Sequence, residues 1–113
     1  MTSAQIWYYV RDLDAGRAFY TGKLGFTETY VDAEAGWAKL ERSGTEIGLA
    51  EGEPGDDGGV ALVDVDDLKR IADELREDGV DVGVVFELHA EMRLLDVFDP
   101  DGNRLQFAQE LRG

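Results

Sequence analysis

The chain reads the same way twice. Val10-Arg11-Asp12-Leu13 closes an apolar, strand-like run and opens a helix-like segment that runs to Gly25, and Val65-Asp66-Asp67-Leu68 opens a comparable segment that runs to Gly79. The two aspartates stand 55 positions apart and the two glycines 54, close to half of the 113 residues. So constant an offset marks two similar supersecondary units, each too small to bury a core alone. The units are therefore expected to pack as one domain over 1–113, and the cavity between them is where function is sought.

Each unit predicts the order βαβββ. In the first, over 4–50, Gln5 to Val10 is aromatic and β-branched and suits a strand. Asp12 is a natural N-cap, and Leu13, Gly16, Phe19 and Tyr20 give the helix an inward stripe that ends at Gly25. Strands follow at Phe26 to Val31, Gly36 to Glu41 and Thr45 to Ala50, the last two joined by a Ser43-Gly44 turn. Residues 51–59 are Gly- and Asp-rich without an apolar side chain, and form a linker. In the second unit, over 60–109, Val60 to Val65 is a strand, and Leu68, Ile71, Ala72 and Leu75 make a helical stripe. Strands at Val80 to Phe86, Met92 to Phe98 and Arg104 to Gln109 complete it, with Asp99-Pro100-Asp101-Gly102-Asn103 as a turn before the last.

Composition narrows the partners. Twenty-five acidic against 11 basic residues leave a net charge of −14, which repels phosphate backbones and anionic headgroups, so neither nucleic acid nor a membrane is expected. A cationic ligand would be attracted, although few lysines beside many carboxylates also suit solubility or life at high salt. Without cysteine there is no disulfide framework and no thiol chemistry. The first twenty residues have neither a basic, then apolar leader pattern nor a spanning run, so the expected compartment is the cytoplasm.

VRDLDAGRAFYTGKLGF, VDVDDL and FDPDGNRLQF together resemble the vicinal oxygen chelate superfamily, which holds glyoxalase I, extradiol dioxygenases and bleomycin-binding resistance proteins. The resemblance runs from about Gln5 to Gln109. It implies an α+β fold in which two tandem βαβββ modules form a curved mixed sheet around a concave cavity. It implies no single activity, because this scaffold carries many. Metal-using relatives point four side chains into the cavity, and the matching positions here are Gln5, Gly48, Val60 and Gln106. Two amides, a glycine and a valine make a poor divalent site, so neither metal nor other cofactor is expected. Gln5 and Gln106 read instead as hydrogen-bonding groups in an apolar cavity. A displaced site of Glu87, His89 and Glu91 is disfavoured because the three would be spaced about 6.5–7 Å per pair along an extended segment.

Strand alternation assigns the cavity wall. If Gln5 faces inward, so do Trp7 and Tyr9, while Ile6, Tyr8 and Val10 pack beneath the helix. The same rule turns Trp37, Lys39, Glu41, Glu46 and Gly48 to the concave face, together with Leu94, Asp96, Phe98, Arg104, Gln106 and Ala108. Aromatic rings beside carboxylates suit a flat or cationic organic molecule. The expected ligand-binding set is Gln5, Trp7, Tyr9, Trp37, Glu46, Asp96, Phe98 and Gln106, although the aromatics would equally suit a dimer interface and Glu46 and Asp96 solvated strand ends. Three functions remain open: a metal-free binding protein that sequesters a small organic molecule, as in drug resistance; an enzyme, either a lyase, epimerase or dioxygenase with a divergent metal site or an acid–base catalyst using Glu46, Asp96 or His89; and a structural or regulatory partner. A homodimer is expected, since pairing would cover sheet edges that a monomer exposes.

Overall fold

The computed structural model describes residues 6–55 and 59–111. The first half holds β1 (Ile6–Val10), α1 (Leu13–Gly22), β2 (Thr27–Asp32), β3 (Trp37–Arg42) and β4 (Thr45–Glu51). The second holds β5 (Ala61–Asp64), α2 (Leu68–Glu77), β6 (Asp81–Val82), β7 (Phe86–Leu88), β8 (Met92–Phe98) and β9 (Arg104–Glu110). Each half builds its own sheet, ordered β1-β4-β3-β2 and β5-β9-β8-β6, with β7 also on β8. In each, the opening strand lies parallel to the last one and the remaining pairs are antiparallel. The architecture is the mixed α+β one that the resemblance implies, with two sheets in place of a single curved one.

The repeated motif is a repeated cap. The Asp12 carboxylate accepts from the Ala15 N–H at 3.2 Å, and the Asp67 carboxylate accepts from the Arg70 N–H at 3.2 Å. Each satisfies a donor that a helix start leaves without an internal partner. Leu13, Gly16, Phe19 and Tyr20 are all buried, as are Leu68, Ala72 and Leu75. Helix α1 stops at Gly22, short of Gly25, because the chain bends first and Gly25 (φ 74°) then returns the Phe26 N–H to the Tyr20 carbonyl.

One core serves both halves. Tyr8, Tyr20, Leu24, Leu40, Ile47, Leu49, Leu68, Leu95, Leu105 and Phe107 are fully buried in it. Each such side chain contributes about 1.5–3 kcal/mol relative to exposure. The helix-side assignments made from alternation therefore hold for Ala38, Leu40, Ile47, Leu49, Leu95, Val97, Leu105 and Phe107. Polar groups stitch the halves together. The Tyr8 hydroxyl donates to the Arg104 carbonyl at 2.6 Å and accepts from the Ala61 N–H at 3.0 Å. The Asn103 amide donates to the Tyr9 carbonyl at 2.9 Å.

The turn predicted at Asp99–Asn103 is the centre of this stitching. Buried Asp99 accepts from the Tyr20 hydroxyl at 2.7 Å, from the Asn103 N–H at 2.8 Å, from the Asn103 side-chain amide at 2.9 Å and from the Asp101 N–H at 2.9 Å. Burial, and then the neighbouring Asp99 charge, push the Tyr20 phenol well above its ordinary pKa; burial also raises Tyr8.

The strand expected over Val80 to Phe86 is broken in two. Only Asp81–Val82 and Phe86–Leu88 join the ladder, and Val84 between them is 75% exposed. The Gly83 N–H still bonds the Asp96 carbonyl at 2.9 Å, but its own carbonyl is taken by Arg76, which ends the regular pattern. Glu87 and Leu88, beyond the end of the expected strand, are strand residues, and the turn is His89-Ala90, both in the left-handed region (φ 54° and 57°).

Candidate functional site

Both sheets turn one face toward the helices and leave the other open. Burial alternates along β1, with Tyr8 and Val10 inside while Trp7 is 37% and Tyr9 50% exposed. Pairing places Trp7 beside Gly48 of β4, and Gly48 opposite Lys39 of β3. The Trp7 indole lies down on Gly48: a Cβ there would stand 2.4 Å from Trp7 Cε3. Only glycine leaves that space. The flattened ring meets Trp37 edge-on at 5.7 Å between centroids, and Trp37 meets Tyr30 at 5.0 Å.

Tyr30 was not among the residues expected here. Simple alternation along β2 would turn it toward the helices, but a bulge between Glu28 and Tyr30 shifts the register and sets Tyr30 opposite Lys39. Glu28 before the bulge keeps the helix side, where Arg17 binds it through two N–H donors and holds its carboxyl below the usual range.

Glu46 lies two residues before Gly48 on the same face, about 7 Å along the strand, and directly opposite Glu41. The Gly44 N–H holds the Glu41 carboxylate at 2.7 Å. Glu46 Oε1 is buried and accepts no hydrogen bond from any described residue. A carboxylate oxygen in that state favours a positively charged group brought to it.

The second open face is arranged differently. Asp96 and Gln106 are cross-strand partners, and Gln106 Nε2 donates to Asp96 Oδ1 at 3.1 Å. Arg104 reaches the same carboxylate at 3.4 Å. Asp96 is therefore half-buried and paired, not a solvated strand end. Phe98 is half-buried at the end of β8. Leu94 and Ala108 share this side and are buried, though the common core does not include them. The structure brings Trp7, Trp37 and Tyr30 into one cluster and Asp96 and Gln106 into another; Gln5 lies outside the described residues.

The positions that the resemblance marks for metal do not suit one. Gly48 has no donor and the Trp7 ring covers it, Val60 is hydrocarbon, and the Gln106 amide is engaged with Asp96. Among the described residues no three His, Cys, Asp or Glu side chains stand close enough to hold an ion. Glu87 pairs with Arg93 at 3.1 Å, and His89 is exposed in its turn.

A family model described as the Glyoxalase/Bleomycin resistance protein/Dioxygenase superfamily matches residues 2–107. Among solved structures, an integron cassette protein from the mobile metagenome of the Halifax Harbour sewage outfall superposes with a TM-score of 0.81 at 23% identity, covering 96% of this chain and 99% of that one. A bleomycin resistance determinant encoded on the transposon Tn5 gives 0.75 at 22%, covering 97% and 98%. The bleomycin-binding protein of bleomycin-producing Streptomyces verticillus, in complex with copper(II)-bleomycin, gives 0.71 at 21%, covering 95% of each chain. Among curated proteins none matches. No helix among the described residues is long and apolar enough to cross a membrane.

Proposed function

Because the chain belongs to the glyoxalase/bleomycin resistance protein/dioxygenase superfamily, we propose that it is a binding protein that sequesters a cationic or aromatic organic molecule on its open sheet faces without a metal ion. The observation that carries this reading is the Trp7–Trp37–Tyr30 cluster, partly exposed and laid flat by Gly48. Ring faces of that kind stack on planar groups and attract positive charge. The unpartnered oxygen of Glu46 supplies the anionic end, and Tyr9, Asp96, Phe98, Gln106 and Gln5 are assigned to the rest of the wall. Two solved relatives are bleomycin-resistance and bleomycin-binding proteins, which makes bleomycin a sensible first probe.

Tyr9, Tyr30, Leu62, Phe86 and Leu88 are 42–51% exposed and offer apolar surface that a second copy of the chain could cover. A homodimer that sets open faces together would cover it and enclose the ligand. Sedimentation at micromolar concentration is expected to give a species near twice the chain mass, and a single species at the chain mass would remove the dimer.

Titration with metal-free bleomycin and with smaller cationic aromatics, followed by tryptophan emission, tests the binding reading. Saturable quenching that survives chelator supports it. Absence of any saturable response across such a panel, or stoichiometric zinc, iron or manganese retained through dialysis, overturns it. A turnover assay of the Glu46→Gln variant separates the acid–base enzyme, in which this carboxylate would be required for rate and not only for affinity.

A further inference from the structure

On the opposite side of the molecule, where the helices lie, the ends of α1 and β3 meet the flank of α2 around a cleft of about 270 Å³. Lys23, Arg42, Arg70, Glu74, Leu75 and Asp78 line it. Three of the chain's 11 basic residues thus converge on one small space in a protein of net charge −14. Lys23 is paired with Asp78 at 3.3 Å, and Arg70 with Glu74 at 2.9 Å. Their charges cancel locally and leave Arg42 as the net positive charge.

Arg42 is distinctive. Among the described arginines it alone has no carboxylate within ion-pairing distance. Its guanidinium lies over the Phe107 ring, 5.3 Å from the centroid, and one nitrogen donates to the Leu24 carbonyl at 2.6 Å. A guanidinium carries five N–H donors in a planar fork, and among the described residues that single bond is the only acceptor it finds. The ring beneath it and the bond to the Leu24 carbonyl hold the guanidinium in place, and burial makes its charge costly to hold without a counter-ion, which lowers its pKa.

We infer that this cleft is a binding site for a small oxyanion, a phosphate or short carboxylate group, gripped by the free edge of the Arg42 guanidinium with Lys23 and Arg70 at the rim. The volume admits a group of that size. Nothing aromatic on the open faces takes part, so the site is independent of the one proposed above.

The test is a thermal-shift and calorimetric titration with inorganic phosphate, with acetate as a second arm, at constant ionic strength maintained with sodium chloride. The wild type is expected to show a saturable rise in melting temperature with at least one anion and no change in tryptophan emission. The arm that saturates at lower concentration identifies the head group. Arg42→Gln is expected to weaken binding about tenfold or more, the usual worth of a charge-assisted hydrogen bond, and the rim variant Arg70→Gln about threefold. Should Arg42→Gln fail to fold, because Arg42 also holds the end of α1, the double variant Lys23→Gln/Arg70→Gln carries the test. No saturable response to either anion in the wild type overturns the inference, and so does a wild-type response in every folded variant.

Discussion

The two halves begin alike and end differently. Each caps its helix with an aspartate at the same point and lays its first strand parallel to its last. Yet the open face of the first sheet carries a cluster of aromatic rings, one of them lying over a glycine, and that of the second carries a carboxylate held by an arginine and an amide. The turns differ as well. A two-residue Ser43-Gly44 turn joins β3 to β4, whereas Asp99–Asn103 before β9 reaches into the first half as a buried polar latch. The repeat keeps what builds the core and varies on the open faces. Asymmetry, not the shared frame, is where the two halves divide their work.

The latch offers the largest way to break this division. Asp99→Ala leaves the Tyr20 hydroxyl and the Asn103 donors without their acceptor, and is expected to cost about 3 kcal/mol or more in chemical denaturation. No first-half turn residue should match it; Ser43→Ala is the comparison. The same region sets the alkaline limit. Tyr20 has a raised folded-state pKa, so its contribution is intact below the unfolded value of about 10 and is lost as pH climbs beyond it. Stability is therefore expected to fall above pH 10 or so, and Tyr20→Phe should flatten that fall while Tyr8 retains part of it.

Next in size is the aromatic face. Trp37→Ala is expected to weaken a quenching ligand by about 1–3 kcal/mol through lost stacking and burial. If it leaves affinity intact and splits the dimer, the rings belong to an interface. Gly48→Glu sets a carboxylate at one of the positions that the resemblance marks for metal: the side chain must displace Trp7, so ligand affinity should fall without metal being gained. Glu46→Gln is expected to cost less, about 1 kcal/mol, with a larger effect at low salt than at high.

The second face should respond least. Asp96→Asn removes a partly exposed ion pair and is expected to change stability by less than about 1 kcal/mol. Ala90→Gly, relieving a left-handed alanine beside His89, is expected to gain about 1 kcal/mol in denaturant. A loss of ligand from Asp96→Asn equal to that from Trp37→Ala would mean that both faces share one cavity.

Period and chemistry made much of this legible. Alternation assigned Tyr8, Val10, Leu40, Ile47 and Leu105 to the core and left Trp7, Tyr9 and Trp37 outside, because a strand with one wet face has a period of two. That same rule missed Tyr30, since a bulge breaks the period without a compositional mark. It missed Arg42 too, where an arginine at a strand end reads as solvated until the Phe107 ring is found beneath it. The interruption at Gly83–Val85 was hidden in an apolar run that any strand could own. Long-range pairing of Tyr20 with Asp99 depends on how the halves dock, which local pattern does not encode.

That docking also sets a timetable. The Tyr8 and Tyr20 hydroxyls and the Tyr9 carbonyl all belong to the first twenty residues, but they find partners at Arg104, Asp99 and Asn103. During synthesis the first half is made early and must wait, with polar groups at its centre unmatched, until residue 104 has left the ribosome. Early folding there is provisional. Contacts spanning 79 to 96 residues close slowly, so the central polar groups of the first half are satisfied only when the second half docks on it.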